Sequence, residues 1–475
     1  MRFPRSSPEE QGVSCVAIGR LVDAMEQQLR DVHSLMLVRH GHVIAEGWWA
    51  PYRRSHPHAL FSISKSFTTT AVGFAIEEGL LGLDDSVVDL LPHDLPATVS
   101  DNLAAMRVRH LLTMTTGHAA DTVGALNERE DNWARLLLSL PVDRAPGSTF
   151  VYNTGASYLL SAILQRLTGQ RMLDYLAPRL LEPLEIADAT WEQCPRGIDV
   201  GGWGLSITTE DIAAFGQTYL HGGAWNGRQV VPAHWAAEAT RLQVPNGDFG
   251  ADDNSHGYGY QFWINRHGTY RADGAFGQLS IAFPDHDALL VLTGGLADAQ
   301  RALDLVWEQL LPELGAQELP TDATAAARLA RRLETLALPV PAGAPDSPVA
   351  ARVSGTTFAL PHNDAGIRSV SLDSTGGDTR LTIVDAAGTH AVECGRGEWT
   401  LGTGSLLDYP DAPIASAGAW ADPASFVARV YLTETPFAVT VSLGFLDDGN
   451  AVTVNVEQNV SFGPTQLLHT IGRAL

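Results

Sequence analysis

The chain has 475 residues, of which 45% are hydrophobic, and its formal net charge is −23. That length favours two or three domains, and the acidic balance argues against nucleic acid or an anionic membrane as a partner. We expect a cytoplasmic protein without a disulfide framework, because the three cysteines (Cys15, Cys194 and Cys394) lie far apart in the sequence. The sequence also lacks a signal-peptide core and an apolar run of ~18 residues that could span a membrane.

The amino-terminal part predicts two strands followed by a buried helix. Residues 34–48 carry apolar and β-branched residues on both sides of Gly41, which is typical of a hairpin. Apolar residues then recur at helical spacing from about Ser62, and Gly79 is the expected stop.

Lys65 is the only lysine among the 31 basic residues of the chain. A codon bias explains the scarcity of lysine, but not why the exception lies three residues after Ser62. Residues i and i+3 share one face of a helix, and a buried lysine can lose its proton, whereas arginine stays charged. The pair therefore indicates a serine nucleophile with a lysine base.

Further along the chain, a helix is predicted after Tyr152 and ends before Gly169. Thr208 and Asp211 form a capping box that opens another helix. Residues 258–264, 277–283 and 288–294 read as successive strands. A helix near 322–336 and a proline-rich linker at 339–348 lead into short alternating segments, which are typical of an all-β sandwich or barrel.

Two motifs resemble those of the class C β-lactamase family, which includes penicillin-binding proteins, esterases and D-aminopeptidases. Ser62-Ile63-Ser64-Lys65 is similar to the family's S-x-S-K, and Tyr152-Asn153-Thr154 is similar to its Y-x-N. The segment 270–284 resembles the strand beside the active site. The resemblance implies an α+β fold, with an antiparallel sheet flanked by helices plus a helical region over residues 1–315. A linker at 316–348 and a lipocalin-like β-barrel at 349–475 would follow.

The resemblance also implies an acyl-enzyme mechanism that uses neither metal nor cofactor. It assigns Ser62 as nucleophile, Lys65 as general base and Tyr152 as proton relay, although Tyr152 alone would read as a core tyrosine. The backbone N–H groups of Ser62 and Ala275 would bind the oxyanion. The implied substrate-binding residues are Thr154, Asp273 and Gly274.

Two departures from the family pattern shape the expected substrate. Ala272 stands where β-lactamases carry lysine, and Thr154 replaces an amide. These changes favour a small ester or amide over penicillin, with a D-amino-acid peptidase and a non-turnover penicillin-binding sensor as alternatives. Asp273 reads either as a partner for a substrate amine or as a solvated turn residue.

Two further expectations concern metal binding and assembly. The paired histidines at 40 and 42 and at 56 and 58 read as surface residues rather than metal ligands, because no acidic or cysteine partner lies at a telling spacing. The barrel would allow assembly into a homo-oligomer.

Overall fold

The computed structural model describes residues 3–126, 131–250, 252–315, 317–374, 379–407 and 409–475. Its α-helices are Cys15–Gln28, Ser64–Glu77, Val87–Leu90, Asp101–Ala105, Val108–Leu112, Trp133–Ser139, Thr154–Thr168, Met172–Leu176, Thr209–Leu220, Ala233–Thr240, Ala299–Leu305, Ala323–Glu334 and Ala350–Val353.

A six-stranded antiparallel sheet organises the first 315 residues. In spatial order its strands are His42–Trp48, Val32–Arg39, Ala288–Gly294, Gln278–Phe283, Tyr270–Gly274 and Trp263–Ile264. Two smaller sheets consist of His58–Ala59, Leu205–Ile207 and Thr190–Trp191, and of Ala224–Trp225 and Arg228–Gln229. The predicted hairpin around Gly41 is confirmed.

The six-stranded sheet is buried on both faces because its alternating side chains enter two separate cores. Met36 and Val38 pack into the core shared with the Ser64–Glu77 helix. Leu35 and Leu37 point to the opposite face, where the Cys15–Gln28 helix covers them. The sheet therefore lies between two layers of helix, with the buried Ser64–Glu77 helix on one side.

Local sequence signals set two helix ends as predicted. Thr208 and Asp211 form the expected capping box at the start of Thr209–Leu220, since each side chain accepts a hydrogen bond from the other's backbone N–H. Gly169, with φ of 69°, ends Thr154–Thr168 in the left-handed conformation that glycine adopts readily.

The strand predicted over residues 258–264 is largely wrong. Only Trp263–Ile264 joins the sheet, and Tyr258 forms isolated bridges with Val244 and Trp263. Gln261 has a φ of 63°, which interrupts an extended conformation. Its side chain bonds to Ser157 and to the carbonyl of Leu111, so tertiary contacts override the local preference for strand.

Ten antiparallel strands form a nearly closed barrel in the carboxy-terminal part, as the alternating segments predicted. In spatial order they are Thr389–Glu393, Arg380–Val384, Ser369–Asp373, Thr357–Ala359, Gln466–Ala474, Ala451–Gln458, Ala438–Leu446, Ser425–Leu432, Tyr409–Asp422 and Thr400–Leu406. The helix predicted near 322–336 runs over Ala323–Glu334. Residue 316, the predicted start of the linker, lies outside the described residues, and the domain boundaries stay a prediction.

Asp31 joins the amino-terminal region to the barrel. This buried carboxylate accepts hydrogen bonds from Arg429 (2.9 Å), from Asn459 (3.3 Å) and from the Tyr431 hydroxyl, all of which belong to the barrel. A second contact links the Tyr52 hydroxyl to the carbonyl oxygen of Thr435 at 3.0 Å. Polar groups buried at one interface are thus satisfied by partners about 400 residues away.

We predict that Asp31→Ala lowers the free energy of unfolding by about 3 kcal/mol, because it leaves the Arg429 guanidinium without its buried partner. Urea titration followed by tryptophan fluorescence measures the change. Asp23→Ala is the control, since it breaks an exposed ion pair with Arg332 that is worth about 0–1 kcal/mol. Equal shifts for the two variants would contradict the prediction.

Candidate active site

Ser62 lies in a tight turn that leads directly into a helix. Phe61–Ile63 forms one 3-10 turn, and the α-helix Ser64–Glu77 continues from it. Phe61 has a φ of 49°, a left-handed conformation that costs a non-glycine residue about 1–3 kcal/mol and persists only when neighbouring groups hold it. The serine is therefore presented by a strained turn.

Two side chains, those of Lys65 and Tyr152, lie beside the Ser62 hydroxyl. Lys65 Nζ lies 2.8 Å from Ser62 Oγ, as the i, i+3 spacing predicted. The Ser62 side chain lies close enough to the Tyr152 hydroxyl to affect its pKa, and Lys65 Nζ lies 4.9 Å from the centre of the Tyr152 ring. The fold thus brings together two motifs that are 90 positions apart in sequence.

Lys65 is buried, with only 1% of its surface exposed. Burial lowers the pKa of Lys65 to about 7, although the carboxylates of Asp121 and Asp273 act in the opposite direction. Nζ also donates to the carbonyl oxygen of Gly202 at 2.7 Å. A substantial fraction of this amine is therefore neutral near pH 7 and able to accept a proton.

Tyr152 is held by aromatic neighbours. Its ring stacks on Trp263 at a centroid distance of 5.3 Å and meets Tyr258 edge-on at 6.2 Å. Burial raises the pKa of Tyr152, while the neighbouring Ser62 side chain acts in the opposite direction. The phenol consequently stays protonated at neutral pH, which suits a proton donor or relay.

The loop that carries Gly202 is tied to the Ser64–Glu77 helix. Ser64 Oγ accepts from the N–H of Leu205 at 3.1 Å, and Thr68 donates to the carbonyl of Gly201 at 2.7 Å. A Cβ atom on Gly202 would lie 2.6 Å from the Thr154 methyl group, so a larger residue does not fit. Sequence reasoning did not identify Gly202, although the Gly-Gly pair at 201–202 marks the close approach.

Thr154 begins the helix that follows Tyr152. Asp121 accepts hydrogen bonds from the Thr154 N–H (2.8 Å) and hydroxyl (2.9 Å), so this hydroxyl is already engaged. The side chain of Asn153 fixes the same turn, because its Oδ1 accepts from the Thr122 hydroxyl at 2.7 Å. A substrate contact at Thr154 stays a prediction.

Asp273 differs from the expected solvated turn residue. It lies within the strand Tyr270–Gly274, and its carboxylate accepts from Arg271 Nε at 2.6 Å. Arg271 is 1% exposed and also donates to Asn254 and Asn265. Arg271 and Asp273 are two residues apart in the strand and therefore share one face. Sequence reasoning missed this pair, although the i, i+2 spacing could have indicated it.

Gly274 allows the strand Tyr270–Gly274 to pack closely against the turn that carries Ser62. A Cβ atom at this position would lie 2.1 Å from the carbonyl oxygen of Leu60. The hairpin loop then continues through Ala275 and Phe276, which has a φ of 65°. Gln278 fixes the loop by donating to the carbonyl of Ala275 at 3.0 Å.

The barrel reaches the same turns through two phenylalanines. Phe437 lies 6.0 Å from Phe61, and Phe462 lies 4.8 Å from Phe276, measured between ring centroids. The N–H of Ala59 also donates to the carbonyl of Glu434 in the barrel at 2.8 Å. Phe437 also lies 5.7 Å from Phe276, so this one barrel residue packs against both strained phenylalanines of the amino-terminal region. No local sequence signal predicted this contact.

The histidine prediction needs a correction. His58 is buried rather than exposed, and its Nε2 lies 3.0 Å from Nδ1 of the buried His33. Burial lowers the pKa of His58 to about 4. Within the described residues, no group of three or more His, Cys, Asp or Glu side chains could hold a metal ion.

Two further features concern the cysteines and the helices. The three cysteines are buried free thiols. None of the helices in the described ranges is both long and apolar enough to cross a membrane.

The family model described as Beta-lactamase matches residues 20–343. A 6-aminohexanoate-dimer hydrolase of Paenarthrobacter ureafaciens is 26% identical over 341 residues, which cover 63% of this chain and 86% of that protein. The structural neighbour EstCE1, a hydrolase with promiscuous acyltransferase activity, has a TM-score of 0.52 at 19% identity and covers 62% of this chain and 99% of its own.

A second neighbour extends over the barrel. The octameric penicillin-binding protein homologue from Pyrococcus abyssi has a TM-score of 0.50 at 16% identity, and the match covers 96% of this chain and all of that chain. At this identity the likeness concerns the fold alone, and it includes both the six-stranded sheet and the barrel. By the match to the family model over most of its length, the chain belongs to the Beta-lactamase family and is a serine hydrolase.

Proposed function

We propose that the protein cleaves an ester or amide bond of a small substrate through an acyl-enzyme on Ser62. The observation that carries this proposal is the 2.8 Å contact between Lys65 Nζ and Ser62 Oγ. The buried lysine, with its pKa of about 7, is matched to proton abstraction near neutral pH. The adjacent Tyr152 hydroxyl supports the same mechanism.

In the proposed mechanism, neutral Lys65 takes the proton of the Ser62 hydroxyl while Oγ attacks the substrate carbonyl. The backbone N–H groups of Ser62 and Ala275 stabilise the oxyanion. When the bond to the leaving group breaks, Tyr152 passes a proton to that group and regains one from Lys65. Water then adds to the acyl-enzyme, releases the acid and restores the serine hydroxyl.

The substrate is expected to be an ester or amide rather than a penicillin. Ala272 is buried and carries no cation that could bind a substrate carboxylate. Arg271 is engaged by Asp273, Asn254 and Asn265. The hydrolase from Paenarthrobacter ureafaciens, named for a 6-aminohexanoate dimer, supports a small substrate.

Two alternatives remain from the sequence. A D-amino-acid peptidase or amidase would prefer D-aminoacyl amides over p-nitrophenyl esters, with Asp273 and Gly274 beside the substrate amine. A non-turnover sensor would acylate at Ser62 and release the acyl group slowly. We also propose that the barrel allows homo-oligomers, which the octameric neighbour supports, and that the protein is cytoplasmic, which its free thiols support.

We predict that an alkyl fluorophosphonate forms one stoichiometric adduct with the wild-type protein, measured by intact mass. Ser62→Ala removes the attacking oxygen and should abolish the adduct. Lys65→Arg should slow labelling by about 10²–10⁴-fold, because guanidinium cannot accept the proton. Ser66→Ala is the control, since that hydroxyl donates to the Gln261 carbonyl and is not part of the site.

The result would oppose the proposal if folded wild-type protein gave no adduct, or if Ser62→Ala labelled as fast as wild type. Slow recovery from acylation by an ester, with normal fluorophosphonate labelling, would favour the sensor.

The pH dependence of kcat/KM should follow the protonation of the Lys65 amine. Below pH 7 the amine is protonated and inactive as a base, so kcat/KM for a neutral ester should rise with pH and reach half of its maximum at about pH 7. Because the Asp121 carboxylate raises the pKa of Lys65, Asp121→Asn should move the midpoint to lower pH. The exposed Asp23→Asn should leave it in place, and a shift of the Asp121→Asn profile to higher pH would contradict this assignment.

A further inference from the structure

An exposed aromatic ring from the barrel stands beside the nucleophile turn. Phe462 lies between the strands Ala451–Gln458 and Gln466–Ala474, and 78% of its surface is exposed. Its ring centroid is 5.9 Å from that of Phe61 and 4.8 Å from that of Phe276. Phe61 and Phe276 are themselves only partly buried, so the three rings form one continuous apolar patch. Contiguous apolar patches that reach the solvent are typical of binding surfaces.

The three rings flank the two groups proposed to act on the substrate carbonyl. Phe61 directly precedes Ser62, and Phe276 directly follows Ala275. The Phe61 and Phe276 rings contact each other at 5.5 Å, edge to face. A substrate bonded to Ser62 therefore has one of its substituents close to this aromatic surface.

The position of Tyr152 indicates which substituent that is. The leaving group must lie beside Tyr152, whose ring neighbours are Tyr258 and Trp263. The rings that contact Phe462 are those of Phe61 and Phe276. The two aromatic groups are distinct, so the acyl part of the substrate is the one directed towards Phe462.

We propose that Phe61, Phe276 and Phe462 form the binding surface for an apolar acyl group, aliphatic or aromatic, and that the barrel determines acyl specificity through Phe462. This inference rests on the proposed hydrolase function. It assigns the barrel a direct contact with the substrate, in addition to its packing through Phe437.

The test compares kcat/KM for p-nitrophenyl acetate, butyrate, hexanoate and phenylacetate in wild type, Phe462→Ala and Phe462→Leu. Phe462→Ala should lower the value for hexanoate and phenylacetate by about tenfold, the effect of losing roughly 60 Å² of apolar contact. Acetate, which is too short to reach the ring, should change less than about twofold on the same scale. Leucine should restore most of the loss.

Ile471→Ala is the matched control, because Ile471 is a barrel residue that is 53% exposed and lies in the strand Gln466–Ala474. It should leave all four substrates unchanged. Because Phe462 is itself exposed, its replacement does not remove core packing, and circular dichroism should match wild type.

The outcomes separate this inference from the proposed function. Normal fluorophosphonate labelling together with an unchanged hexanoate-to-acetate ratio in Phe462→Ala would overturn the acyl surface alone. The absence of any adduct on wild type would overturn both proposals. A change in oligomeric state by size-exclusion chromatography without a change in that ratio would instead assign Phe462 to contact with a second copy of the chain.

Discussion

The burial of one amine determines how the rest of the site is arranged. A substantial fraction of the Lys65 amine is neutral only because the amine is buried away from water. Its remaining N–H donors still need hydrogen-bond partners. The carbonyl of Gly202 supplies one, which requires the 201–205 loop to approach the helix closely. Glycine at 202 and the hydroxyls of Ser64 and Thr68 make that approach possible. Arginine, which stays charged in proteins, could not provide a neutral amine at this position.

A second constraint is the strained backbone on both sides of the site. Phe61 and Phe276 each adopt a positive φ, and Phe437 of the barrel packs against both rings. The Asp31–Arg429 pair and the hydrogen bond from Ala59 to Glu434 fix the barrel at the same edge. The carboxy-terminal barrel is therefore packed against the backbone around Ser62 through these residues.

Sequence patterns correctly predicted the structural features that depend on residues close together in the chain. The spacing of Ser62 and Lys65, the Thr208 capping box and the alternating barrel strands all follow from helix and strand periodicity. Long-range partners carry no such signal, so the Gly202 carbonyl on Lys65, Asp121 on Thr154 and the Phe462 contact were not predicted. The strand at 258–264 and the surface assignment of His58 were wrong for the same reason, because tertiary contacts decided both conformation and burial.

The chain order of these parts also determines when the contacts around Ser62 can form during synthesis. Ser62 leaves the ribosome 400 residues before Phe462. At about 5–20 residues per second, this interval lasts roughly 20–80 s. Throughout that time the nascent chain carries Ser62 without the barrel residues that contact its strained turn. These contacts between the barrel and the turn therefore form only when translation is nearly complete.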